Sequence, residues 1–139
     1  MSGGFYQRPR GGRLLGSEDD FQETVVNYLR LKYRIEPRVG MEAGRRSFHE
    51  IAKAKRLGLA PGWPDVEIHE ARGPWFGCAA ELKSEEGYRK QSKAKREQQL
   101  ARLEYLRDRG WRVAMLKPTD PWSEWFDFYF LGALRRAGE

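Results

Sequence analysis

Apolar residues Phe21, Val25, Tyr28 and Leu29 recur at intervals of three and four, the period of a helix with one buried stripe. Ser17 stands where a capping residue belongs, and Glu18, Asp19 and Asp20 fill the first turn, where negative charge suits the helix dipole. The stripe next reaches Lys32, a polar residue, so the helix is expected to stop close to it. Tyr33 to Val39 resembles a strand, interrupted by Pro37 and therefore suited to a sheet edge. Residues 40–60 are mixed and basic, with a short helix expected around Phe48–Lys55. Gly58, Pro61, Gly62 and Pro64 mark a loop that delivers the chain to Asp65.

A strand over Pro64–Ile68, a hairpin connection over Glu70–Pro74 and a second strand over Trp75–Leu82 follow. The second strand carries few charges, which suits a central strand covered on both faces. Residues 84–90 read as a charged loop. A helix is expected from about Gln91 to Arg109, with Leu100, Leu103 and Leu106 as its buried stripe and Gly110 as its stop. Trp111 to Leu116 reads as a strand, and Asp120 and Pro121 open a last helix to about Arg136. The order is helix, strand, two-stranded hairpin, helix, strand, helix: an α/β layer with a mixed sheet, the long helix serving as the crossover between parallel strands.

A chain of 139 residues fits one domain, taken here as 17–139, preceded by a flexible basic tail over 1–16 that contains Arg8, Arg10 and Arg13 and no acid. No apolar run approaches the ~18 residues that would suggest a membrane span, and no apolar signal segment opens the chain. Retention in the cytoplasm is the expectation. A lone cysteine, Cys78, excludes an internal disulfide framework; set in an apolar run, it reads as a small buried hydrophobe. One Cys and two His cannot easily complete a structural zinc site. A formal charge of +6 favours an acidic partner such as nucleic acid without identifying one.

The chemistry concentrates between Pro64 and Lys83. On a strand, alternate side chains share a face, so Glu81 and Lys83 point one way and Leu82 the other. If the two strands pair as a hairpin, Asp65 joins them at one end of the sheet. Two acids and a cation converging there suit hydrolysis of a phosphodiester with a divalent metal: Mg²⁺ takes hard oxygen ligands and retains waters. Asp65 and Glu81 are the candidate ligands, with the main-chain carbonyl of Leu82 between Glu81 and Lys83. Lys83 is placed to orient water and stabilise developing charge. An acid-x-Lys triplet alone is weak, because exposed Glu and Lys often alternate on a solvated strand. The preceding Ala79-Ala80 and the Gly-x-Pro-Asp turn make the set more specific.

Gly62-Trp63-Pro64-Asp65, Glu81-Leu82-Lys83, a glutamine on the following helix, and Glu18-x-x-Phe21-Gln22 with Tyr28-Leu29 on the first helix together resemble the VRR-NUC family of the PD-(D/E)XK nuclease superfamily. The resemblance covers residues 18–116. It implies a restriction-endonuclease-like core, with Asp65 and Glu81 holding Mg²⁺ or Mn²⁺, Lys83 as the catalytic lysine and Glu18 as an accessory acid. The helical glutamine matches Gln99 better than Gln98, because Gln99 shares the inward face with Leu103 and Leu106. Plainer roles stand beside these: a dipole-facing acid for Glu18, a polar helix-margin residue for Gln99, a turn cap for Asp65.

Small stand-alone members look like dimeric Holliday-junction resolvases, so branched DNA and a homodimer are the implied partners. A nuclease on linear or flapped DNA, or a DNA-binding module without turnover, are the alternatives. Lys90, Lys93, Lys95 and Arg96, with Arg45 and Arg46, are candidate phosphate contacts. His49 and His69 lack metal spacing, and Glu67 stays outside the assignment although it shares a strand face with Asp65. The aromatic-rich last helix, Trp122 to Leu134, exceeds one stripe; it suits deep burial or a homodimer surface.

Overall fold

The computed structural model describes residues 18–40, 48–58 and 62–132. The basic tail, Ser17, Arg45, Arg46 and the end of the last helix beyond Gly132 lie outside them. The elements in chain order are α1 (Glu18–Tyr33), β1 (Arg38–Val39), α2 (Phe48–Arg56), β2 (Val66–Ile68), β3 (Gly77–Leu82), α3 (Glu85–Lys90), α4 (Lys93–Asp108), β4 (Trp111–Leu116) and α5 (Trp122–Asp127), which runs into a π-helical turn, Phe128–Gly132. The four strands form one sheet in the order β1-β2-β3-β4. The first two pairings are antiparallel and β3 with β4 is parallel. The α4 crossover expected from the sequence is therefore present, and β3 is central and buried along its whole length.

Strand alternation divides the core. Val66 and Ile68 of β2, Cys78, Ala80 and Leu82 of β3, and Leu116 of β4 face one way. There they meet Phe21, Val25, Val26, Tyr28 and Leu29 of α1 with Phe126, Tyr129 and Phe130. Ala79 and Glu81 point to the opposite face, where α4 packs along β4 and buries Leu103 and Leu106. Asp127 fastens the C-terminal segment: the Tyr28 hydroxyl donates to its carboxylate at 2.7 Å and the Lys32 ammonium at 3.1 Å, with Tyr33 donating to the same oxygen. The Tyr129 hydroxyl donates to the Glu70 carbonyl, tying the π turn to the β2–β3 hairpin.

Six local expectations change. The strand expected over Pro64–Ile68 begins only at Val66, because Pro64 and Asp65 belong to the turn that enters it. The strand expected over 33–39 shrinks to Arg38–Val39, because α1 continues to Tyr33 and Arg34 turns the chain at φ 56°. Its N–H still donates to the Arg30 carbonyl at 3.1 Å. β3 begins at Gly77 rather than Trp75, since Trp75 bonds back to Arg72 around the Gly73-Pro74 turn. The charged loop over 84–90 is helical: the Ser84 side chain caps α3 by accepting from the Gly87 N–H at 2.8 Å. Acids then open α3 and cations close it, as the helix dipole favours. The last helix changes to a π turn at Phe128.

Leu100 is the sixth. It is exposed, and the inward stripe of α4 is Gln99, Leu103 and Leu106. Leu103→Ala is accordingly expected to cost about 2–5 kcal/mol in urea denaturation, whereas Leu100→Ala shifts stability within about 0.5 kcal/mol. Equal losses would place the stripe wrongly.

Candidate active site

The pairing register sets the site. Val66 faces Ala80 and Glu67 faces Ala79, so one residue further Asp65 lies across from Glu81. Both acids point to the α4 side of the sheet. The Asp65 backbone is fixed by Gly40, whose N–H donates to the Asp65 carbonyl at 3.0 Å. Its side chain is fixed by the Leu82 N–H, which donates to Oδ2 at 2.8 Å. Pro64, fully buried, anchors the turn from the other side.

Lys83 follows the end of β3 and keeps its alternation. Its ammonium lies 3.5 Å from Glu81 Oε2, and both side chains are almost wholly buried. The other Glu81 oxygen, Oε1, is buried with no hydrogen-bond partner. An uncompensated carboxylate oxygen in a dry position is costly unless something cationic or a proton meets it. Burial is the largest influence pushing the Glu81 carboxyl up, to about 8, and the Asp65 charge adds to it; Lys83 opposes both. Burial also raises Asp65, against the Leu82 N–H and Lys83.

Glu18 reaches the same end of β3 from the first turn of α1. The Ser84 N–H donates to its Oε2 at 3.4 Å, and its charge bears on both Asp65 and Glu81. Gly87 makes room for it: a Cβ there would sit 2.0 Å from Glu18 Oε2. Nothing in the sequence pattern singles out Gly87, because its role depends on the approach of α1 to α3.

Gln99 is buried on α4, and its side-chain oxygen accepts from the Gln91 amide at the end of α3. Gln91 is a second, half-buried amide that spacing along the chain does not reveal. Of the basic residues, Lys93 and Lys95 are exposed, and Lys90 is exposed and paired with Glu86 at 2.8 Å. Arg96 is partly withdrawn, lying over the Tyr88 ring and donating to the Tyr88 carbonyl at 3.3 Å. Glu67 is drawn away by Arg38 and by His69, which also packs on Trp111. Cys78 is buried and its thiol is pushed up by burial.

Searched against known proteins, the chain matches no family model and no curated sequence. Among solved structures it matches a "VRR_NUC domain protein" with a TM-score of 0.59 and 27% identity, over 82% of this chain and 88% of that one. The chain has the VRR-NUC fold. The likeness supports a nuclease-family domain. Within this VRR-NUC core, Glu18, Asp65 and Glu81 set three carboxylates against the one ammonium of Lys83, a formal charge of −2 when all are ionised. A divalent cation matches that deficit. The side chains alone do not enclose an ion: among the described residues no group of three or more His, Cys, Asp or Glu is close enough to hold a metal. Two carboxylates, the Leu82 carbonyl and retained waters form a donor set that Mg²⁺ accepts, and the orphaned Glu81 oxygen is the position such an ion would satisfy.

The sign of the pH dependence follows from Glu81. Its folded-state value lies near 8, above the ordinary 4.5, so the folded chain holds a proton that the unfolded chain releases between these values. The stability due to this group falls as pH rises through that window. In chelator, Glu81→Gln is therefore expected to gain stability over the parent as pH is raised from 5 to 8, read by urea denaturation. A difference that stays constant with pH contradicts the burial of an unmatched carboxylate.

Proposed function

We propose that this protein is a divalent-metal-dependent endonuclease that hydrolyses phosphodiester bonds in DNA, selects branched DNA such as a four-way junction, and works as a homodimer. The observation that carries the reading is a pair of opposed acids, half-buried Asp65 across from buried Glu81, with the Lys83 ammonium 3.5 Å from Glu81. In this reading Asp65, Glu81 and the Leu82 carbonyl hold Mg²⁺ or Mn²⁺, which supplies Lewis acidity when bound. Lys83 orients the attacking water and stabilises charge on the phosphate. Glu18 and Gln99 position the site from α1 and α4.

A module that only binds DNA gains nothing from two opposed carboxylates, one of them buried, since they repel phosphate and cost stability. The basic start of α4 supports a DNA partner. Its first turn carries Lys93, Lys95 and Arg96 and no acid, the reverse of what the helix dipole favours, and phosphate would relieve this. Phe128 and Leu131 stay exposed beside buried Phe126, Tyr129 and Phe130, which supports a self-association surface. Selectivity for branched DNA rests on the family resemblance carried by the sequence motifs.

Labelled four-way junction, flap and linear duplex, each with and without Mg²⁺, test the reading. Cleavage is expected with metal only, fastest on the junction, and reduced by at least about 10³-fold in Glu81→Ala and Lys83→Ala, the scale set by losing an electrostatic group acting on the transition state. Unchanged cleavage by these variants defeats the site assignment; equal cleavage of linear duplex defeats the junction preference. Gly87→Ala supplies a finer check. Alanine normally favours a helix by about 1 kcal/mol over glycine, yet here it must displace Glu18. Its turnover is expected to fall to the level of Glu18→Ala, up to about 10²-fold, as an ångström-scale misplacement produces; full activity would remove Glu18 from the machinery.

A further inference from the structure

The outer face of α4 carries a ladder of two rings between two guanidinium groups that the proposed hydrolytic site does not use. The Arg102 guanidinium lies over the Trp63 ring, 4.4 Å from its centre. Trp63 meets Tyr105 edge-on, with ring centres 5.7 Å apart and planes at 78°. The Arg109 guanidinium closes the series 3.7 Å from the Tyr105 ring centre, and its Nη1 donates to the Tyr105 carbonyl at 3.1 Å. Arg102, Tyr105 and Arg109 are three, then four residues apart, so they form one stripe of the helix. That stripe is displaced from the inward one of Gln99, Leu103 and Leu106.

The ladder is coupled to the acids by a short piece of chain. Trp63 precedes Asp65 by two residues, with buried Pro64 between them. Gly62, at φ 93°, lets this turn lie directly on α4: a Cβ would stand 2.9 Å from Gln98 Cγ and 3.4 Å from Arg102 Cγ. Trp63 is half-buried, while Tyr105 is 44% exposed and Arg109 is exposed. Holding the turn on the helix accounts for Arg102 and Trp63. It does not account for the outer half, where Tyr105 and Arg109 stay exposed with the guanidinium over the ring.

We propose that the Trp63–Tyr105–Arg109 end of this ladder is a stacking subsite for an unpaired nucleotide next to the scissile phosphate, a reading that rests on the nuclease assignment above. Rings and guanidinium planes stack on any base face without regard to sequence, and Arg102 and Arg109 add charge for the flanking phosphates. A base inside a continuous duplex keeps its own stacking neighbours and cannot use the surface. DNA with unpaired nucleotides, at a flap, a gap or the open centre of a junction, can. The ladder thereby assigns the preferred substrate class by what lies beside the cleaved bond rather than by its sequence.

Fluorescence anisotropy in chelator, with no cleavage possible, tests this on a labelled duplex carrying a short single-stranded gap and on the same duplex made continuous. The wild-type chain is expected to bind the gapped DNA more tightly. Tyr105→Ala is expected to weaken that binding about tenfold, within the range for loss of one base–aromatic stack, and to change continuous-duplex binding less than about twofold on the same scale. Trp63→Phe is expected to retain most of the gap preference, and Arg109→Ala to lose part of it. Equal affinity of the wild type for both DNAs, or equal losses on both in Tyr105→Ala, overturns the subsite. Cleavage of junction by the wild type with Mg²⁺ is scored separately: activity without gap preference removes the subsite alone, and gap preference without activity removes the nuclease reading alone.

Discussion

Two carboxylates held across a strand pair, Glu81 buried and Asp65 half-buried, are the constraint on which this structure turns. Like charges directly opposite on a sheet repel, and burial enlarges the penalty. Asp65 and Glu81 share one close ammonium, that of Lys83, and a backbone N–H at Asp65. One oxygen of Glu81 is left with nothing. A fold that maximised its own stability would place apolar residues here. The cluster persists because the surrounding structure holds it, and buried, perturbed carboxylates of this kind are what the proposed metal-dependent chemistry calls for.

The holding is done from three directions. On the α1/α5 side, buried Val66, Ile68, Cys78, Ala80 and Leu82 lock β2 and β3 in register, so Asp65 cannot slip past Glu81 without turning a core face outward. From α1, Glu18 arrives at the end of β3 beside Ser84, in the space Gly87 leaves. On the opposite face α4 does two jobs with adjacent stripes. Gln99, Leu103 and Leu106 close the sheet, while Arg102 catches Trp63 and with it the turn that carries Asp65. Asp65, its loop and the helix are therefore one mechanical unit.

Much of this was legible in the chain. Period-two alternation placed Glu81 and Lys83 together, and the Gly-x-Pro-Asp turn before a β-type run placed Asp65 at the sheet end. Gly110, at φ 89°, ended α4 as a helix-stopping glycine does. What escaped depended on neighbours distant in sequence or on a local choice that composition cannot decide. Residues 84–90 look like a solvated loop until Ser84 caps them into a helix. Leu100 is as apolar as Leu103, and only the direction in which α4 meets the sheet tells them apart. Gly87, Gln91 and the Trp63–Tyr105 contact exist through tertiary approach, so no spacing rule finds them. The solved VRR_NUC structure supports the fold that the sequence motifs imply.

The most direct test of the central claim is whether the opposed acids bind a divalent ion. Mn²⁺ titrated into the purified protein at pH 8, with free ion followed by electron paramagnetic resonance, reads this without any DNA or turnover. The account predicts saturable binding by the parent chain that Asp65→Asn and Glu81→Gln each abolish, while Leu100→Ala binds as the parent does. Undiminished binding in both acid variants would contradict it.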